Sequence, residues 1–268
     1  MARWTADRIW EAVEEGRWIP PSATRVTTEE YDLAVTPGSY ALTYVYGFRV
    51  ADPTRLGERL TALRQRVESL GGNGARIQLT PRSRPIDLAG RLEQYGYRPI
   101  EEAEVLVWRL VDDQGGPRLP QFPDADGVSV RELESDAEYD QFIELGPAIF
   151  GDPVPPPEAR ARFLSEFHRQ LLEDGHSGRF LAYHTTTPIG RAGLEVAGPV
   201  ARLWGTGVLA DYRRRGVYGA LVWVRCDSAV RRGAEIALVT ARVGTSGPIL
   251  KRHGFEPMGP VRIFEARW

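Results

Sequence analysis

The chain has 268 residues, 42% of them hydrophobic and 26% charged, with a formal net charge of -2 and an isoelectric point near 6.2. That is the profile of an ordinary globular protein, long enough for two modest domains. The one cysteine, Cys226, excludes an intramolecular disulfide and a zinc site built on several thiolates, and the sequence offers no other metal motif. There is no global basic excess for nucleic acid, no apolar run near the roughly 20 residues of a membrane helix, and the opening MARWTADRIWEAVEEGRW is too charged for a secretory signal. A cytoplasmic protein without metal, nucleic-acid or membrane partners is expected.

In chain order, the first amphipathic stretch carries Trp4, Trp10 and Trp18, read as core packing. In YALTYVYGFRV, the alternation of Tyr40, Leu42, Tyr44, Tyr46 and Phe48 predicts a strand with one aromatic face. A helix follows from Thr54 to Leu70, opened by Asp52-Pro53-Thr54. The stretch ARIQLTPRSRPIDLAGRLEQYGYRP then reads as strand, turn, short helix, Gly96-Tyr97 and Pro99. Residues 112–127, DDQGGPRLPQFPDADG, have linker composition. They divide the chain into a domain at 1–115, a linker at 116–127 and a domain at 128–268.

In the second domain the Pro-rich patch at 151–159 is a loop between helices, with an amphipathic helix at about 157–173. GLEVAGPVARLW reads as a hairpin turning at Gly198-Pro199, in a register that sets Ala197 opposite Val200 and Glu195 opposite Arg202. After VLADYRRRG a helical pattern runs to Gly233, then a strand EIALVTARV, a helix GPILKRHGF, Gly254-Phe255, Pro257 and a last strand. The two halves thus repeat one order of strand, turn, helix, Gly-aromatic and Pro, which points to duplicated domains.

Arg213, Arg214 and Arg215 stand where a helix begins, an unfavourable place for cations because of the helix dipole. A bound anion would reverse that balance. Successive backbone N–H groups at a helix start bind phosphates. Gly216 allows close approach, and guanidinium groups add charge-assisted bonds. A second motif, Gly205, Gly207 and Ala210 with Asp227 beyond, fits the dinucleotide fingerprint in spacing. Its context is wrong, since no helix starts at those glycines, and they read instead as a bulged or closely packed strand.

The second half resembles a GCN5-related N-acetyltransferase (GNAT) domain. That family's signature is Arg or Gln, two residues, Gly, one residue, then Gly or Ala at a strand-to-helix turn. Here it reads Arg213, Arg214, Arg215, Gly216, Val217, with Tyr218 at the last position and Gly219 and Ala220 behind. The resemblance covers roughly 128–268, and the first half resembles a worn copy without the arginine turn. It implies two tandem α/β folds, each a mixed sheet with splayed central strands flanked by helices. It also implies acetyl-CoA (or another acyl-CoA) as co-substrate and a small-molecule or peptide amine as acceptor.

By the same resemblance, Val208, Leu209 and Ala210 hold the pantetheine arm, and Arg213 to Ala220 hold the pyrophosphate. Two positions depart from the family: its strand glutamate is Arg202 here, and its tyrosine acid is Leu250. Glu195 is then the candidate base, with a cross-strand ion pair to Arg202 as its alternative role. His184, which reads mainly as a polar strand edge, and Glu144 and Glu166, which exposed helix faces explain as well, are further polar candidates, and His253 reads as a helix C-terminal cation. Cys226 reads as core, and Trp204 as either core or acceptor-pocket wall. The alternatives to an amine acetyltransferase are a non-catalytic acyl-CoA-binding sensor and, third, a nucleic-acid binder using the arginines.

Overall fold

The computed structural model describes residues 4–14, 23–35, 43–151, 153–173 and 176–268. They form two compact units: Met1–Val105 with Ala241–Pro248 and Pro257–Trp268, and Leu106–Thr240 with Ile249–Glu256. In chain order the elements are α1 (Ala6–Glu14), β1 (Thr24–Thr27), β2 (Asp32–Val35), β3 (Thr43–Tyr46), α2 (Leu56–Ser69), β4 (Gly74–Leu79), α3 (Leu88–Gln94) and β5 (Arg98–Arg109). Next come β6 (Val128–Glu132), α4 (Asp136–Phe150), α5 (Pro157–Glu173), β7 (Ser177–His184), β8 (Thr187–Ala197) and β9 (Val200–Val208). The chain ends with α6 (Val217–Arg231), β10 (Ile236–Arg242), α7 (Ser246–Arg252) and β11 (Glu256–Arg267).

In the first unit the strand order is β1-β2-β3-β4-β11-β5. β3 and β4 run parallel, linked through α2, and β11 pairs antiparallel with β4 from Arg262↔Leu79 to Arg267↔Gly74. Helix α2 forms because Leu56, Leu60, Leu63 and Val67 make one buried stripe at helical spacing. With Phe48, Ile77, Leu92 and Phe264 they build the unit's core. Removing one such leucine to alanine costs about 2–5 kcal/mol.

The aromatic face of β3 is not the core face. Val45 is fully buried while Tyr44 and Tyr46 are half-buried and stack on each other at 5.8 Å. Gly47, at φ 61, ends the alternation and lets Phe48 turn back into the core. Tyr40, Leu42 and Trp18 lie outside the described residues. Trp4 and Trp10 are both buried.

In the second unit the end of β5 from Leu106 is followed by β10, β9, β8, β7 and β6. All the pairings from β9 to β6 are antiparallel. β9 and β10 are parallel, and they pair only from Ile236↔Val200 to Leu238↔Arg202 before they part. The hairpin of β8 and β9 has the expected register, Ala197↔Val200 and Glu195↔Arg202. Consecutive side chains of a strand point to opposite faces. A Cβ on Gly190 would meet Leu221 of α6, whereas Arg191 reaches Phe142 of α4, so α6 and α4 cover opposite faces of β8.

Residues 112–127 belong to the second unit. A turn at Asp112 returns the chain so that Arg118 N–H bonds Leu110 C=O at 2.7 Å, and the Trp108 indole donates to Arg118 C=O at 2.8 Å. Trp108 also packs on Phe255 at 5.4 Å. A fragment of residues 116–268 would lack Leu106–Arg109 beside β10, and β11 would lack its ladder to β4. We expect it to lose the cooperative thermal transition of the full chain, read by circular dichroism. A cooperative melt at the full-chain midpoint would contradict this.

Candidate functional site

The site is built where β9 hands over to α6. After Val208 the chain makes one turn of 3-10 helix at Ala210–Tyr212, then Arg213 is extended and Gly216, at φ 77, starts α6. The first backbone bond of the helix runs from Ala220 N–H to Gly216 C=O at 3.0 Å. The N–H groups of Val217, Tyr218 and Gly219 therefore precede the intrahelical ladder, and Gly216 has no side chain to cap them. No acidic residue stands in this first turn, and the exposed Arg213, Arg214 and Arg215 precede it. Val217 and Gly219 are buried, and Tyr218 and Ala220 half-buried.

The three arginines differ in what they do. Arg213 Nε donates back to Val208 C=O at 3.1 Å and braces the strand end. Arg215 lies over the Tyr212 ring at 5.4 Å. Arg214 has φ 62, a left-handed conformation that is uphill for a residue with a Cβ. Leu209 N–H is bonded to Ile189 C=O at 2.9 Å, and the Leu209 and Ala210 carbonyls accept within the 3-10 turn. All the residues assigned to the cofactor turn from the sequence thus lie in one continuous segment, although several of their backbone groups at 208–210 already have partners.

A feature that composition concealed crosses the start of α6. A Cβ on Gly216 would sit 3.1 Å from Asp124 C=O, and one on Gly219 would sit 2.7 Å from the Phe122 ring. Phe122 in turn stacks on His253 at 4.3 Å, and a His253 ring nitrogen lies 2.8 Å from Gln121 C=O. His253 is thus a stacking and hydrogen-bonding partner. The sequence signal was the pair of glycines three apart in a helix's first turn, a flat face for a crossing segment.

The other notable geometry is a bulge in β9. Gly207 pairs with Arg191 but Trp204 pairs with Gly193, so β9 has one extra residue there. Gly205 carries the bulge in the left-handed region at φ 58. The Trp204 ring lies across Gly193, stands edge-on to Phe142 at 6.4 Å and is 38% exposed. Ile149 and Phe150, at the end of α4, cover Gly207. Trp204 is therefore an open wall on the α4 face and not a core residue.

Arg225 was missed from sequence. It stands on the apolar stripe of α6 and is 1% exposed. Its Nε donates to Leu221 C=O at 2.9 Å, and its Nη1 to Gly193 C=O at 3.0 Å and Trp204 C=O at 3.5 Å. Desolvation by burial pushes its pKa down to about 10. Keeping it charged at neutral pH costs on the order of 3 kcal/mol. A lone charge on an otherwise apolar helix stripe is the signal that could have found it.

Glu195 and Arg202 face each other across the hairpin, Oε1 to Nη1 3.5 Å, both largely buried. Leu250 is fully buried. His184 packs against Tyr212 at 5.6 Å, Glu144 pairs with Arg160 at 3.2 Å, and Glu166 bonds Arg169. Asp227 pairs with Arg231 on α6, and Gly205 and Gly207 lie inside a strand, so the dinucleotide fingerprint is not formed. Among the described residues no group of three or more His, Cys, Asp or Glu could hold a metal ion, and no helix is long and apolar enough to cross a membrane.

Residues 138–255 match the family model described as Acetyltransferase (GNAT) family. No curated protein sequence matches the chain significantly. Among solved structures the chain is similar to a GCN5-related N-acetyltransferase from Kribbella flavida, with 19% identity over 98% of this chain and 96% of that one and a TM-score of 0.68. It is also similar to a GCN5-related N-acetyltransferase from Sphaerobacter thermophilus, with 20% identity, 89% and 81% coverage and a TM-score of 0.61. A tandem GNAT protein from the clavulanic acid biosynthesis pathway shares 16% identity over 98% and 87%, with a TM-score of 0.56. Likeness at these identities establishes the fold, an α/β GNAT fold of the kind found in tandem. The family match identifies residues 138–255 as similar to a GNAT acetyltransferase domain and supports acyl transfer as the class of reaction.

Cys226 is fully buried, and burial pushes its thiol up to about 12. Only the thiolate is nucleophilic, so Cys226 is core, as expected. We expect Ellman's reagent at pH 8 to label almost none of the native protein and one thiol per chain in guanidinium chloride. Rapid labelling of the native chain would contradict the burial.

Proposed function

We propose that the second unit binds acetyl-CoA at Val208–Ala220 and transfers its acetyl group to a primary amine by direct attack. The observation that carries this reading is the parting of β9 and β10 after three paired rungs, directly before an uncapped helix start preceded by three exposed arginines. The N–H groups of Val217, Tyr218 and Gly219 and the side chains of Arg214 and Arg215 fit a pyrophosphate. The open ends of β9 and β10 fit an extended, hydrogen-bonding pantetheine arm. Positioning two reactants can supply about 7–11 kcal/mol of a barrier, and a thioester is already activated.

The proton chemistry is modest. Glu195 is the nearest carboxylate by chain logic, but its ion pair with Arg202 suits a structural role better than that of a base. A thiol with a pKa near 8.5 leaves without a strong acid, which is compatible with Leu250 where relatives carry tyrosine. The first unit is a companion without its own cofactor turn. The buried Leu250 and the paired Glu195 also favour a second reading, a protein that binds acyl-CoA without turning it over.

Calorimetry of the full chain with CoA should give one site. Replacing Arg213, Arg214 and Arg215 together by alanine should weaken binding at least tenfold, and Arg49→Ala should not. Two equivalent sites, or loss at Arg49 alone, would sink the cofactor assignment. Thiol release from acetyl-CoA with a panel of amines separates the two readings, since binding with no turnover favours the sensor.

Where an amine is turned over, Glu195→Gln should lower kcat less than tenfold. A hundredfold loss in a folded variant would make Glu195 the base.

A further inference from the structure

We infer that Arg225 is a positioning residue for acyl transfer, acting through the bulge of β9; this rests on the reading that transfer occurs at the end of that strand. A bulge leaves backbone groups of the ladder without their regular partners. Here the carbonyls of the pair that borders the irregularity, Gly193 on β8 and Trp204 on β9, converge on one guanidinium nitrogen. The same guanidinium is anchored to its own helix through Leu221 C=O. Its ionisable neighbours among the described residues are Tyr218 and Cys226. A site that only needed filling would take methionine or leucine there, and burying a charge among carbonyls is otherwise unfavourable.

What the arginine adds is direction. In a trans peptide the C=O and the following N–H point opposite ways, and the one cis bond among the described residues is Arg84-Pro85. Drawing Trp204 C=O toward α6 therefore turns Gly205 N–H away from α6, to the face that carries Trp204, Ile149 and Phe150. A cation bonded to the carbonyl also polarises that peptide and strengthens its N–H as a donor. Arg225 thus holds, from behind the sheet, the backbone that leads into Thr206–Ala210, and it touches no substrate itself.

The test uses the full chain with Arg225→Met, Arg225→Gln and Arg225→Lys, each checked for a cooperative melt. In amide NMR without added ligand, Arg225→Met should shift Gly205 and Thr206 strongly while the amides at the end of α6 stay in place. Unmoved Gly205 and Thr206 signals would overturn the inference, and this readout stands whether or not acetyl-CoA binds.

Where the wild type turns over acetyl-CoA with an amine of the panel, Arg225→Met should lower kcat at least tenfold. The KM for acetyl-CoA should stay within threefold, and Arg225→Lys should recover part of the loss. A kcat within threefold of wild type in folded Arg225→Met would overturn the inference, as would equal damage from Met and Lys. If Met and Gln do not fold, Arg225→Lys decides: kcat lowered at unchanged KM supports the role, and unchanged kcat overturns it. A wild type that binds no acetyl-CoA instead strikes the functional reading and leaves the NMR result to judge Arg225. Failure of all three variants to fold would make Arg225 a stability element only.

Discussion

Two parallel strands that stop pairing leave a debt of backbone polar groups, because buried N–H and C=O groups in folded proteins are almost always bonded. β9 continues six residues past its last rung with β10, from Arg202 to Val208. Much of the local architecture settles what those residues need. Arg213 returns its guanidinium to Val208 C=O. Trp204 C=O draws on Arg225, which also holds Gly193 C=O of β8. The opening between the strands is therefore built in, held from one end by an exposed arginine and from behind by a buried one.

Both arrangements run against local stability. Cations in front of a helix N-terminus are each unfavourable by about 0.3–1 kcal/mol at an exposed site, and Arg214 adopts a left-handed backbone besides. Arg225 keeps its charge where burial opposes it. Violations of local preference concentrate where a protein does its work. Here they cluster on one short path from the bulge at Gly205 to the helix start at Gly216, a convergence that scattered surface charge would not produce.

Features set by neighbours along the chain were legible in the sequence. The hairpin register follows from Gly198-Pro199 and the alternation on each side, so Glu195 meets Arg202 as expected. The paired glycines of β9 announced a bulge, and Gly216 announced the helix start. What escaped was non-local. The aromatic pattern of β3 named a face but not which face the core would take, and Val45 went inward instead. Residues 112–127 have the composition of a linker, yet Trp108, Gly219 and His253 supply the partners that fasten them. Arg225 looked like one more charge on a helix until β8 and β9 were placed beside it.

The two units offer an internal contrast on the question of anion binding. Both use a parallel pair of strands joined by a helix, β3-α2-β4 and β9-α6-β10. In the first, the turn before α2 is closed by its own acid: Asp52 accepts Thr54 N–H at 2.9 Å and Thr54 Oγ1 at 2.6 Å, with Pro53 removing a further donor. Those bonds hold the Asp52 carboxyl below its ordinary pKa, so a negative charge already stands at the 3-10 turn that leads into α2. In the other, glycine stands at the cap with no side chain to offer, three arginines precede it, and no acidic residue stands in the first turn. Packing of a helix between two parallel strands does not by itself call for three cations in front of it. The difference in capping chemistry, more than the presence of arginine as such, is what sets the start of α6 apart from the closed turn before α2.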